Sequence, residues 1–138
     1  MQRSRRRVVE ATALAGILGG APSATHALVV GGDLRSVVDY GLRATRAVGT
    51  LIPPGRPGLL RGTLAHFGIS FLVGAVLARV LPRRHSALWG AAAGLGIGAF
   101  NLSVIGRRFP DIAALPLAPQ LADNMAFGAV FALVVDRP

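Results

Sequence analysis

Apolar residues dominate four long runs, separated by short basic or proline-rich interruptions. A helix crosses a bilayer core of about 30 Å with about 20 mostly apolar residues, at roughly 1.5 Å each. Three runs meet that length: 63–81 (TLAHFGISFLVGAVLARVL), 86–106 (SALWGAAAGLGIGAFNLSVIG) and 118–135 (APQLADNMAFGAVFALVV). Pro119 falls in the first turn of the last run, where a missing N–H costs nothing. A fourth run, 8–30, is long enough but carries Glu10, Pro22 and His26. Gly19, Gly20 and Pro22 predict a kink there, with neighbouring groups satisfying the freed backbone. The expected fold is therefore all-α, an integral membrane four-helix bundle forming one transmembrane domain over 1–138.

Between the first two spans the period changes. From Asp33, the residues Leu34, Val37, Val38, Gly41, Leu42, Val48, Leu51 and Ile52 recur at helical spacing, and Arg35, Asp39, Arg43 and Arg46 share the other face. This predicts an amphipathic helix over 34–52, with Asp33 as its N-cap. Arg35–Asp39 and Asp39–Arg43 have the spacing of i, i+4 ion pairs. Such a helix lies in the membrane interface with its arginines toward headgroups, or packs across the mouth of the bundle. The segment PPGRPG at 53–58 ends it as a loop.

Composition sharpens the membrane reading. The chain is 52% hydrophobic and 15% charged, against about 25% charged for a typical soluble domain. Yet its formal charge is +9, and all fifteen basic residues are arginine. Arginines flanking apolar spans match anionic lipid headgroups. Scattered over both ends, they form no nucleic-acid patch, so the expected partners are the lipid bilayer and its anionic headgroups. With the N-terminus inside, Arg3, Arg5, Arg6, Arg7, Arg83, Arg84 and Arg137 lie on the inner side. Arg35, Arg43, Arg46, Arg56, Arg61, Arg107 and Arg108 lie on the other. Arg79 can snorkel inward and break the tie, and the basic cluster before the first span favours both termini inside. Residues 4–9 also loosely resemble a twin-arginine signal, a reading opposed by Glu10 and by the later spans. The chain has no cysteine, which excludes disulfides, thiolate metal sites and cysteine nucleophiles.

Small residues predict where the spans touch, because helices in lipid associate through close packing. Candidate contact rows are Ala11, Ala15 and Gly19; Gly90, Gly94 and Gly98; and Ala118, Ala122, Ala126 and Ala129. They imply a tight bundle, open to a second copy or another membrane protein as partner. The polar residues within spans are Glu10, His26, His66, Asn101, Asp123 and Asn124, and burying them in hydrocarbon is costly. In an antiparallel arrangement His26, His66, Asn101 and Asp123 fall about one turn inside the same end, which predicts a single polar layer opposite the termini. Asn124 points elsewhere on its helix.

Three chemistries suit such a layer. One is interhelical hydrogen bonding, including an Asp123 pairing with Arg61 or Arg107, at roughly 1 kcal/mol per bond. Another is proton-linked or small-solute transport, since histidine titrates near neutral pH. The last is haem or metal binding, for which two histidines and a carboxylate are acceptable ligands. The histidines have no local H-x-x-x-H spacing, and no resident cofactor or metal is expected. Gly94-Leu95-Gly96-Ile97-Gly98 lies inside a span and follows no strand, so it is no phosphate loop. No serine occupies a G-x-S-x-G elbow. No enzymatic activity is expected.

From the second span onward the chain carries Ala65-His66-Phe67-Gly68-Ile69-Ser70, Val80-Leu81-Pro82, Trp89-Gly90-Ala91-Ala92-Ala93-Gly94, Pro116-Leu117 and Asp123-Asn124-Met125-Ala126-Phe127-Gly128. With Leu14-Ala15-Gly16 in the first span, this pattern resembles the YagU-type four-helix bacterial inner-membrane proteins. Where those often have a histidine in the last span, this chain has Asn124. The resemblance implies a multi-pass protein of the bacterial inner membrane with a loose link to acid-stress tolerance, and no reaction.

Overall fold

Residues 3–84 and 86–137 are described by a computed structural model, and among them every regular element is helical. Ser4 caps α1 (Arg5–Leu18), its hydroxyl accepting the Arg7 N–H. The chain breaks at Gly19-Gly20 and resumes as α2 (Ala21–Gly31), with Pro22 in its first turn. Gly32 turns it off with φ 80°, a conformation that favours glycine. Asp33 then caps α3 (Leu34–Val48), accepting the Ser36 N–H at 2.8 Å and its hydroxyl at 2.7 Å. These bonds hold the Asp33 carboxyl below its ordinary pKa. A 3-10 turn, Gly49–Leu51, follows. The next helix, α4, is Leu59–Val80, and α5 is Ser86–Phe100. After Phe100 the helix widens into a π turn, Asn101–Ile105, and then tightens into a 3-10 turn, Gly106–Arg108. Short α6 (Pro110–Ala113) leads to α7 (Leu117–Val135).

Four helical stretches are long and apolar enough to cross a membrane: Arg5–Gly31, Leu59–Val80, Ser86–Arg108 and Leu117–Val135. The stretches containing α1, α4 and α7 share one core, and α5 joins it through α7. The α5 helix packs along α7, α7 on α1, and α1 on α4, while α4 and α5, consecutive in sequence, make no extensive contact.

The α5–α7 contact is the most extensive in the molecule. Gly90, Gly94 and Gly98 are all buried. A Cβ on Gly90 would run into the Gly128 backbone, and one on Gly94 into the Asn124 backbone. Backbones approach this closely only where side chains are absent. The contact row on α7 is Asn124, Gly128 and Ala132. Of the expected alanine row, Ala118 is exposed. Asn124 faces α5, on a different side of α7 from Asp123 as expected, where it covers Gly98 and donates to the Gln120 carbonyl at 2.8 Å. On α1 the row is as the spacing predicts: Ala11 and Ala15 are fully buried against α7 and α4. Phe131, Leu77 and Val135 complete this core.

The amphipathic segment has three faces. Val37, Tyr40, Ala44, Ala47 and Val48 turn toward the rest of the molecule, where Ala47 meets Ile112 and Leu115. Leu34, Val38 and Leu42 form an exposed apolar stripe. Arg35, Asp39, Arg43 and Arg46 form a charged sector. The helix thus packs on the bundle and still presents apolar surface outward. Neither expected Asp39 ion pair forms among the described residues; Arg43 instead lies over the Tyr40 ring, 5.6 Å from its centroid.

Arg3 departs furthest from the expectation that arginines face headgroups. Its guanidinium binds Asp136 in bidentate fashion, at 2.7 and 2.8 Å. It also donates to the Ala78 and Leu81 carbonyls, at 2.9 and 3.0 Å. The Arg3 side chain is only 6% exposed. A cation at the carbonyl end of α4 is favoured by the helix dipole, so one residue clasps the ends of α1, α4 and α7. The Arg3 guanidinium holds the Asp136 carboxyl below the usual carboxylate range, against the opposing effect of burial, with Ser86 and Arg83 adding to the lowering.

Candidate functional site

The break in the first long helix creates the site. Pro22 has no N–H, so the Leu18 carbonyl loses its helical partner. The Ser23 N–H is among the free donors at the start of α2. It is taken up by Asp123, one helix away on α7, whose Oδ1 accepts it at 2.9 Å. Asp123 Oδ2 accepts the Ser23 hydroxyl at 2.5 Å. A carboxylate belongs there on electrostatic grounds as well, because the first turn of a helix carries partial positive charge. Asp123 therefore acts as an N-terminal cap supplied in trans.

The Tyr40 hydroxyl extends the cluster, 3.3 Å from Ser23 Oγ. Ser23 has one proton to give. With that proton directed to Asp123, the Tyr40 O–H donates to Ser23 Oγ. Tyr40 and Ser23 are both buried. A line of hydroxyls thus runs from α3 through α2 to the α7 carboxylate.

His66 enters from α4. Its Nε2 lies 2.9 Å from the Gly16 carbonyl in the last turns of α1, which fixes Nε2 as the protonated nitrogen. Its imidazole lies within electrostatic range of Asp123. A Cβ on Gly16 would meet Phe67 and Ser70 at 3.5 Å, ordinary contact, so the approach of His66 does not depend on glycine there.

The four residues expected in one polar layer therefore fare differently. Asp123 and His66 stand in one electrostatic neighbourhood. His26 is half-buried, with a buried Nδ1 that has no hydrogen-bond partner among the described residues. Asn101 is half-buried, and no hydrogen bond to its side chain is made among the described residues. It begins the π turn, and Asn124 already fills the surface beside Gly94 and Gly98 that Asn101 was expected to share. Arg61 does not pair with Asp123. It donates to the carbonyls of Arg56, Ile52 and Pro53, bracing the proline-rich loop.

Ser23 and Tyr40 were not among the expected site residues. Ser23 follows Pro22 at the break, where a free N–H must find an acceptor. Tyr40 is the chain's single tyrosine, on the inward face of the amphipathic helix. Among the described residues, no three histidine, aspartate or glutamate side chains converge as a metal ion would require. The arrangement can order protons along Tyr40, Ser23 and Asp123, and it can lock a broken helix. No family model, curated protein or solved structure matches the chain.

Proposed function

We propose that the chain is a multi-pass protein of the bacterial inner membrane whose role is structural, stabilising a membrane partner or the membrane under stress, without catalysis. The observation that carries this reading is how the intramembrane polar groups are used. Asp123 is committed to Ser23, and His66 to the Gly16 carbonyl. These bonds join α2 to α7 and α4 to α1. Polar groups so engaged act as interhelical ties. The four long apolar helices with largely exposed apolar sides support the membrane location. The resemblance to YagU-type proteins points the same way.

A second reading is favoured by one specific feature. The Tyr40–Ser23–Asp123 line, with His66 nearby, has the composition of a proton relay at a broken helix. Flux in liposomes separates the two. The structural role predicts equal proton and solute leak for wild type, Asp123→Asn and His66→Ala. A wild-type flux abolished by both substitutions would replace it with proton-linked transport.

A further inference from the structure

We infer that the groove between α1 and α4, at the end where Arg3 meets Asp136, binds one anionic phospholipid. The inference rests on the membrane reading and adds a defined site to it. The groove measures about 720 Å³ and is lined by Arg5, Arg79 and Arg83 at its rim and by Val8, Val9, Phe71, Ala75 and Ala78 along its wall, with the clasping Arg3 at its base.

Two observations determine the occupant. The first is charge. Arg3 is neutralised by Asp136. Arg5 forms no ion pair or hydrogen bond among the described residues. Among the described residues, the Arg79 guanidinium is engaged only by the Ala75 carbonyl of its own helix, at 2.9 Å, and both side chains belong to exposed residues. The rim thus offers two fixed positive charges without a protein counter-charge. Guanidinium recognises phosphate through paired N–H donors.

The second is the wall. Phe71 lies eight residues before Arg79 on the same helix, or about 12 Å deeper along the span. Phe71 and Val9 are both exposed although large and apolar. A free phosphate has no use for such a wall. A phospholipid fills both parts, with its phosphate at Arg5 and Arg79 and an acyl chain along Val9, Phe71 and Ala75.

The test uses the full chain in detergent and native mass spectrometry, titrating phosphatidylglycerol and, separately, phosphatidylcholine. Variants are Arg5→Gln with Arg79→Gln, Ala75→Phe to fill the wall without changing charge, and Arg56→Gln with Arg108→Gln as an equal charge change at the other end. Circular dichroism checks folding. Phosphatidylglycerol should bind wild type more tightly than phosphatidylcholine. Loss of two arginines near a lipid phosphate corresponds to about 30-fold weaker binding. The control pair should stay within about twofold, and Ala75→Phe, if folded, should also weaken binding. Equal weakening by the two arginine pairs would overturn the site. So would a folded Ala75→Phe that binds normally, or full competition by glycerol phosphate, which carries the headgroup chemistry without chains. Alkaline carbonate extraction separates the two levels. Release of the protein from membranes overturns the membrane reading itself, whereas a retained protein with no lipid preference overturns only the groove.

Discussion

At the scale of single residues, two carboxylates do different work. Asp136 is held by Arg3, and both side chains are largely buried. Removing one partner of such a pair leaves a charge without compensation. Arg3→Met should therefore destabilise the protein by about 2 kcal/mol, less than for a fully buried pair because Asp136 keeps some access to water. Thermal unfolding in detergent measures this. The pH dependence follows from the lowered Asp136 pKa. A carboxyl whose folded pKa lies below its unfolded value contributes in full above about pH 4 and loses that contribution as pH falls through the folded value. Asp136→Asn should remove this acid limb; an unchanged limb would assign it to other carboxylates. Asp123 has a local duty instead. Asp123→Ala leaves the Ser23 N–H and hydroxyl without their acceptor, at a cost of about 1–3 kcal/mol. Asp123→Asn keeps one carbonyl acceptor and should cost less, and equal losses in Tm would refute the capping role. Asp123 was legible in the sequence as a costly intramembrane acid. Its partner was not, because Ser23 is an ordinary small residue until the break at Pro22 frees its N–H.

At the scale of elements, spacing predicted the helices well because helical burial is periodic. Asp33 capped α3 as expected, and the kink fell at Gly19-Gly20 where glycine and proline weaken a helix. What spacing cannot rank is which glycines touch backbone. Gly94 and Gly96 are two residues apart on α5. A Cβ at Gly94 collides with α7, while nothing lies within 4 Å of one at Gly96. Gly94→Ala should lower stability by about 1–3 kcal/mol through overpacking. Gly96→Ala should be neutral or stabilising by up to about 1 kcal/mol, since alanine favours the helix. Paired thermal melts decide this, and equal effects would contradict the α5–α7 contact. The end of α5 was also hidden from spacing. The π turn at Asn101 rotates the residues after it, so a face extrapolated from Gly94 and Gly98 no longer holds there.

At the scale of the whole molecule, the arginines mark two ends, and the three-faced α3 lies across one of them. The chain has no cysteine, so single cysteines can be introduced without background. In native membranes Val38→Cys, on the exposed apolar stripe, should react with a membrane-impermeant maleimide several-fold more slowly than Asp39→Cys on the charged sector. Equal rates would remove α3 from the lipid interface. With both termini inside, Arg56→Cys should label in intact cells with the outer membrane permeabilised, and Arg84→Cys only in inverted vesicles; the reverse pattern would invert the orientation. The sequence by itself determined the helical class, the four long apolar stretches and the amphipathic helix, because each follows from local composition and a period of 3.6 residues. Only the tertiary structure decided that α5 packs on α7 and not on α4, that Arg3 is a clasp, and that Asp123 serves Ser23. Those outcomes depend on which helices become neighbours, and helix order in space is set by backbone approach at a few glycines and by long-range acceptors for stranded N–H groups. A one-dimensional pattern shows that such groups exist, but distance in space selects their partners.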